Sequence, residues 1–222
     1  MPATIWTGMR MRSRWMTRSL LVDGKTVSFL ELNRMEHGVQ LDVRYARTDN
    51  FIQRQVYPSP HVFLLEHVAL DLLSVHDELE PYGFGLLLFD GYRPWSVTKL
   101  FWDLSDDQVR RFLANPSDGS SHNRGCAVDL GLFDLTTGSP VRMPSDFDEM
   151  NEKAYRDFAG GEFTERQRRD LLRSTMERHD FEGIENEWWH YNHKSRREWP
   201  VMDFSFEEIL KAPQIRNRIP ER

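Results

Sequence analysis

The sequence predicts a single α+β domain with a mainly antiparallel central sheet flanked by helices. Three observations carry this. Between His61 and Glu80 the apolar residues Leu64, Leu65, Val68, Leu72, Val75 and Leu79 recur at helical spacing. Two short apolar runs, Gly85–Phe89 and Ala127–Leu135, are bounded by glycine and aspartate, as strands are. Helices and short strands then follow one another in irregular order, the pattern of an α+β fold. The chain has 222 residues, which at roughly 100–200 residues per domain fits one domain with decorated ends.

The elements are expected as follows. Residues 1–24 form an N-terminal extension, which contributes a strand around Leu20–Val22, and residues 25–222 form the domain. The basic run from Arg10 to Arg18 reads as a solvated leader rather than a nucleic-acid arm. The first helix spans His61 to Glu80 and stops at Pro81-Tyr82-Gly83. Gly85–Phe89 is a strand buried on both faces. After Pro94, Ser96 can cap a helix that runs to Leu104. In the strand Ala127–Leu135, Val128, Leu130 and Leu132 share one face, and Asp129 and Gly131 the other. Thr137-Gly138 turns the chain. Thr164 and Gln167 fit a capping box for a helix ending near His179. Phe181 and Glu187–Asn192 are further strands.

Composition excludes several classes of function. Lys plus Arg is 29 and Asp plus Glu 35, a net charge of −6. Wholesale nucleic-acid binding is disfavoured, since it leaves a basic footprint. No stretch approaches the roughly 18 apolar residues of a membrane helix, and the basic start has no apolar segment after it. The expected location is the cytoplasm, with no membrane partner. Cys126 is the one cysteine, so a transition-metal site must use His and carboxylates. Its parity with Val128 and Leu130 makes it a buried structural thiol.

Three segments carry the chemistry. In Ser120-Ser121-His122-Asn123-Arg124-Gly125-Cys126-Ala127-Val128-Asp129, Gly125 lets the chain turn into a strand. His122 and Asp129 can then meet at one ion. A surface histidine, with Asp129 paired to Arg124, fits the same spacing. In Glu187-Trp188-Trp189-His190-Tyr191, His190 offers a third ligand, and Glu187 can stand beside the metal without binding it. The alternative is an aromatic strand in the core, which is compatible with the first reading. Residues three apart point to opposite faces of a regular strand. The catalytic reading therefore requires a bulge, or a strand that begins after Glu187. In Asp90-Gly91-Tyr92-Arg93-Pro94, Arg93 follows a strand end, where it can stabilise a developing oxyanion or form a structural ion pair.

In order and spacing, these motifs resemble those of the VanX-type D-alanyl-D-alanine dipeptidases, zinc enzymes related to the D-Ala-D-Ala carboxypeptidases and the hedgehog fold. The resemblance runs from about Asn33 to Phe204 and includes His37-Gly38-Val39, Tyr45-Ala46 and Tyr82–Leu88. It implies one Zn2+ per chain on His122, Asp129 and His190. It implies Glu187 as general base and acid, and Arg93 as the stabiliser of the transition state. Asp148 would receive the substrate ammonium beside Tyr45, with Ser120 and Tyr57 as further substrate contacts. The implied partner is a small dipeptide, hydrolysed to free D-amino acids. The interval from Asp90 to His122 is shorter than in the best-known members, which implies a more open mouth. Two other readings stand beside this one. One is a D,D- or L,D-carboxypeptidase acting on longer peptidoglycan stems. The other is a zinc-stabilised binding module without catalysis, against which Glu187 and Arg93 together argue.

Overall fold

Alternating and continuous apolar runs give this chain nine strands among the residues that the computed structural model describes, 14–218. Strands β1 (Arg14–Val22) and β2 (Lys25–Leu32) form an antiparallel hairpin. Asp23 and Gly24 make its turn at φ of 49° and 80°, the two positive values that a tight two-residue hairpin needs. β2 also pairs with β4 (Val62–Leu65), and β1 with β9 (Gln214–Arg218). The result is a four-stranded sheet in the order β4-β2-β1-β9.

This sheet revises the expectation for the N-terminus. The expected boundary after residue 24 falls at the hairpin turn, and the strand foreseen near Leu20 begins at Arg14. Both edges of β1 are paired, so its backbone groups are satisfied inside the sheet. Arg18 Nη1 donates to the Leu210 carbonyl at 2.5 Å, which ties it to the fold rather than to solvent. Arg10 and the rest of residues 1–13 lie outside the described residues.

A short helix, α1 (Arg34–His37), leads to the second sheet. That sheet is formed by β3 (Gln40–Leu41), β5 (Phe84–Asp90), β6 (Ala127–Asp134), β7 (Phe181–Gly183) and β8 (His190–His193), in the order β3-β5-β6-β8-β7. Only the β3–β5 pairing is parallel. The antiparallel sheet is as expected; the companion sheet is additional.

Helix α2 (Glu66–Leu79) packs against β2, β4 and β5 and buries Val68, Leu72, Val75 and Leu79. It starts five residues later than expected, because Val62–Leu65 pairs with β2 as a strand with all four side chains buried. A short apolar run fits either period, and the available partner strand decides. Helix α3 (Trp95–Leu104) has Pro94 rather than Ser96 at its N-cap position. Helix α4 (Phe163–Arg178) uses Glu162 and Glu165 as its capping box, not Thr164 and Gln167. Helix α5 (Phe206–Lys211) is capped by Ser205 with Glu208. The strand expected from Glu187 begins only at His190, after a turn. No helix among the described residues is long and apolar enough to cross a membrane.

Candidate active site

The register of β5, β6 and β8 builds the centre of the site. Asp90 lies opposite Asp129, and Asp129 opposite His190. Cross-strand partners share a face, so the three side chains stand in one row. A register shift between Leu88 and Asp90 inserts an extra residue into β5. Such a bulge re-aims the following side chain, here Asp90.

His122 comes from a single 3-10 turn (His122–Arg124) that ends at Gly125. Gly125 has φ +66°, and a Cβ there would press on Leu65 and Phe29 at 3.1 Å. Glycine therefore lets the chain leave the turn and enter β6. His122 Nδ1 meets the Gly91 carbonyl at 2.7 Å, which turns Nε2 toward the row. Gly91 is itself held close, since a Cβ on it would lie 2.6 Å from the Phe63 carbonyl oxygen. His190 Nε2 meets Asn192 Oδ1 at 3.0 Å, which turns Nδ1 inward.

The inward atoms converge. His190 Nδ1 lies 2.9 Å from Asp129 Oδ1 and 3.1 Å from His122 Nε2. One atom from each of the three residues falls within 4.8 Å of the others, and all three residues are buried. Burial opposes ionisation of Asp129, but His122 and His190 outweigh it and hold the carboxyl well below its usual range. Two imidazoles and a carboxylate, each fixed by an outer contact, can hold a divalent metal ion with a position left open. Asp129 does not pair with Arg124, whose Nη1 donates to the Trp199 carbonyl.

Glu187 lies in the turn before β8, so strand alternation does not apply to it. Its Oε2 is 3.9 Å from His190 Nδ1. The geometric condition on a catalytic Glu187 is thus met by a strand that begins late. Burial pushes the Glu187 carboxyl up to about 8, opposed by His190 and reinforced by Asp129 and Asp148.

Arg93 follows β5 and is buried. Its Nε donates to Asp90 Oδ2 at 2.8 Å, and its Nη2 approaches Asp129 Oδ2 at 3.4 Å. The guanidinium carbon sits 5.4 Å from the Tyr45 ring centroid and 5.1 Å from that of Phe101. Burial works against the charge, but Asp90, Tyr45, Tyr57 and Asp129 together outweigh it and keep Arg93 protonated. Tyr45 donates to Asp148 Oδ2 at 2.9 Å. Asp148 occupies φ +61°, a left-handed position that aspartate tolerates better than most residues. Burial, and next Asp129, push its carboxyl up to about 7. A half-buried carboxylate without an ion-pair partner among the described residues is matched to a cationic ligand.

These groups share one cleft of about 320 Å³. Its lining includes Tyr45, Arg93, Ser120, His122, Asp129, Asp148, Glu187 and His190. Of the expected site residues, only Tyr57 is elsewhere. It is 2% exposed and donates to Asp90 Oδ1 at 3.0 Å, behind Arg93. Tyr57 is therefore a support of the arginine rather than a substrate contact. The short segment after α3 still supplies Arg111, Phe112, Leu113 and Ala114 to the wall.

Sequence reasoning missed Asp90, the anion that fixes Arg93, and Asn192, which orients His190. Asp90 stood three residues before Arg93 at the end of a strand, a spacing that could have flagged an ion pair. Cys126 is fully buried outside the cluster, and burial pushes its thiol up to about 12. His193 faces away, bonded to Ser195 and Asp71.

Comparison with known proteins agrees with this geometry. The sequence profile of the D-ala-D-ala dipeptidase family matches residues 25–208. A D-alanyl-D-alanine dipeptidase of Enterococcus faecalis is 36% identical over 181 residues, covering 73% of this chain and 90% of the relative. One of Enterococcus faecium is 35% identical, covering 74% and 91%. One of Streptomyces coelicolor is 31% identical, covering 76% and 93%. The chain belongs to the peptidase family of D-Ala-D-Ala dipeptidases.

Proposed function

We propose that this protein is a zinc dipeptidase that hydrolyses D-alanyl-D-alanine, or a close D,D-dipeptide, to free D-amino acids in the cytoplasm. The observation that carries the reading is that Glu187 and Arg93 both line the cleft that holds His122, Asp129 and His190. A purely structural metal site is closed by its ligands and needs neither group.

His122 Nε2, His190 Nδ1 and a carboxylate oxygen of Asp129 would hold the ion. When bound, zinc supplies an acidified water and a Lewis acid for the scissile carbonyl. Asp148, with Tyr45, takes the substrate ammonium. Ser120 serves the other end, at the carboxylate. These contacts fix the peptide across the cleft and convert binding into orientation. Glu187 accepts the proton of the attacking water and returns it to the departing amine. Arg93 stabilises the negative charge that develops on the carbonyl oxygen, and Asp90 holds the guanidinium in place. Residues 25–222 carry these groups as one catalytic domain, with β1 completing its first sheet.

The test is Glu187→Ala in the zinc-loaded enzyme. Bound zinc should remain at one per chain, while kcat for D-Ala-D-Ala falls by about 10²–10⁴, the usual contribution of a general base. Near-normal turnover would remove Glu187 from the mechanism. N-acetyl-D-Ala-D-Ala separates the longer-stem reading: it should not be cleaved, because the blocked amine leaves Asp148 without its cation.

A further inference from the structure

The cleft does not end at Ser120. A second hollow of about 260 Å³ adjoins it, and Gly119, Ser120 and Ser121 line both. Its remaining walls are Arg124, Arg196 and Arg197, and no acidic residue lines it. Two of these guanidinium groups are anchored from behind. Arg124 donates to the Trp199 carbonyl. Arg196 Nη1 donates to Glu182 Oε2 at 3.0 Å and to the His193 carbonyl. Arg196 is one-quarter exposed and lines the hollow, whereas Glu182 does not. Arg197 is exposed and has no hydrogen bond or ion pair among the described residues.

Charge is therefore distributed unevenly along the cleft. Asp148 and Glu187 line the main cleft with the metal cluster; the three arginines line the hollow that adjoins it at Gly119, Ser120 and Ser121. A dipeptide with its ammonium at Asp148 and its carboxylate near Ser120 points its C-terminal residue toward the arginines. A methyl side chain is too short to use them. A side chain that ends in a carboxylate is matched to forked guanidinium donors.

We propose that this hollow is a subsite for an anionic side chain on the C-terminal residue, so that the enzyme favours D-Ala followed by an acidic D-residue over D-Ala followed by its neutral isostere. The inference rests on the dipeptidase reading of the main cleft. The arginines are partly solvated, so the preference is modest and screened by salt.

The experiment compares kcat/KM of the zinc enzyme for D-Ala-D-Ala, D-Ala-D-Glu, D-Ala-D-Gln and D-Ala-D-Lys at low and high ionic strength. D-Ala-D-Glu should exceed D-Ala-D-Gln by about fivefold at low salt, as expected for exposed ion pairs, and the gap should narrow in high salt. In Arg197→Glu, the advantage of D-Ala-D-Glu over D-Ala-D-Gln should shrink. Equal rates for D-Ala-D-Glu and D-Ala-D-Gln in the wild type would overturn the subsite, as would a preference that Arg197→Glu leaves unchanged. D-Ala-D-Ala separates the two levels of failure. If it is cleaved and the acidic preference is absent, only the subsite fails. If no dipeptide is cleaved, the reading of the main cleft fails first.

Discussion

The two walls of the cleft are built differently. Most of the metal wall is carried by strands: Asp90, Asp129 and His190 are neighbours across β5, β6 and β8, and backbone ladders fix their spacing, while His122 comes from the 3-10 turn before β6. The opposite wall is carried by irregular segments. Tyr45 lies in a single 3-10 turn, and Asp148 in a loop at positive φ. That wall is held by side chains: Tyr45 bonds Asp148, and the Tyr45 ring packs against Phe101 and Phe147. Metal geometry tolerates errors of only about 0.2 Å, so a ladder suits it. A substrate ammonium accepts a looser cradle. Losses on the strand wall should thus appear in metal content and kcat, and losses on the loop wall in KM.

The largest effect is expected from Asp129→Ala. It removes a ligand and leaves two buried imidazoles facing each other. Zinc analysis should find less than stoichiometric metal, and activity should be lost with it. Full zinc occupancy with full activity would break the assignment of the strand wall. Chelation of the wild type should have the same outcome, and added zinc should restore activity.

Asp90→Asn comes next. It takes the nearer countercharge from buried Arg93 and leaves only Asp129 at 3.4 Å; stability should fall by less than the roughly 3–5 kcal/mol of a fully unpaired buried charge. Kinetically, kcat should fall about 10- to 100-fold, the range seen when an orienting partner is removed, with KM changed less. A selective rise in KM would move Arg93 from transition-state work to substrate binding. Tyr57→Phe removes one bond from the same carboxylate. It should lower stability by about 1–2 kcal/mol and lower kcat slightly.

On the loop wall, Asp148→Asn should raise KM for D-Ala-D-Ala by about 30-fold or more, the scale for truncating one side of a buried charge pair, while zinc stays bound. Tyr45→Phe should do the same by less, about three- to tenfold. A loss of metal in either variant would erase the distinction between the walls.

The smallest effect concerns pH. The Asp148 carboxyl is pushed up to about 7 in the free protein, above its ordinary value. The folded state therefore binds a proton that the unfolded chain releases between about pH 4 and 7. The sign follows: this group favours the fold at acid pH, and that contribution is lost as pH rises through 7. Thermal melts of metal-free enzyme should show a steeper loss of stability over this window in wild type than in Asp148→Asn. Parallel curves would show that Asp148 ionises without cost.

Much of the site was legible in the sequence because its residues are local signals. His122, Gly125 and Asp129 sit in one ten-residue motif, and Glu187 and His190 in another. Their roles follow from chemistry that only a few residue types can supply. The same holds for the strand around Gly85–Phe89, bounded by glycine and aspartate, and for the body of α2, whose helical period runs over several turns. Tyr57 was misplaced because a tyrosine near a site looks alike in sequence whether it faces substrate or supports an arginine. The start of α2 was misplaced because Val62–Leu65 has a helix-compatible pattern and acquires its strand identity from β2.

The sequence by itself determined which groups could bind a metal, since one cysteine leaves histidine and carboxylate as the donors. It also determined the antiparallel sheet that bears them. Tertiary structure alone decided three things. It made Arg14–Val22 an inner strand, because β2 and β9 satisfy both of its edges. It placed Asp90, Asp129 and His190 side by side, because strand register is a relation between distant segments. And it set three arginines beyond Ser120, where residues from β8's exit and the turn before β6 meet. Each of these depends on at least one contact across more than thirty residues, which no local pattern encodes.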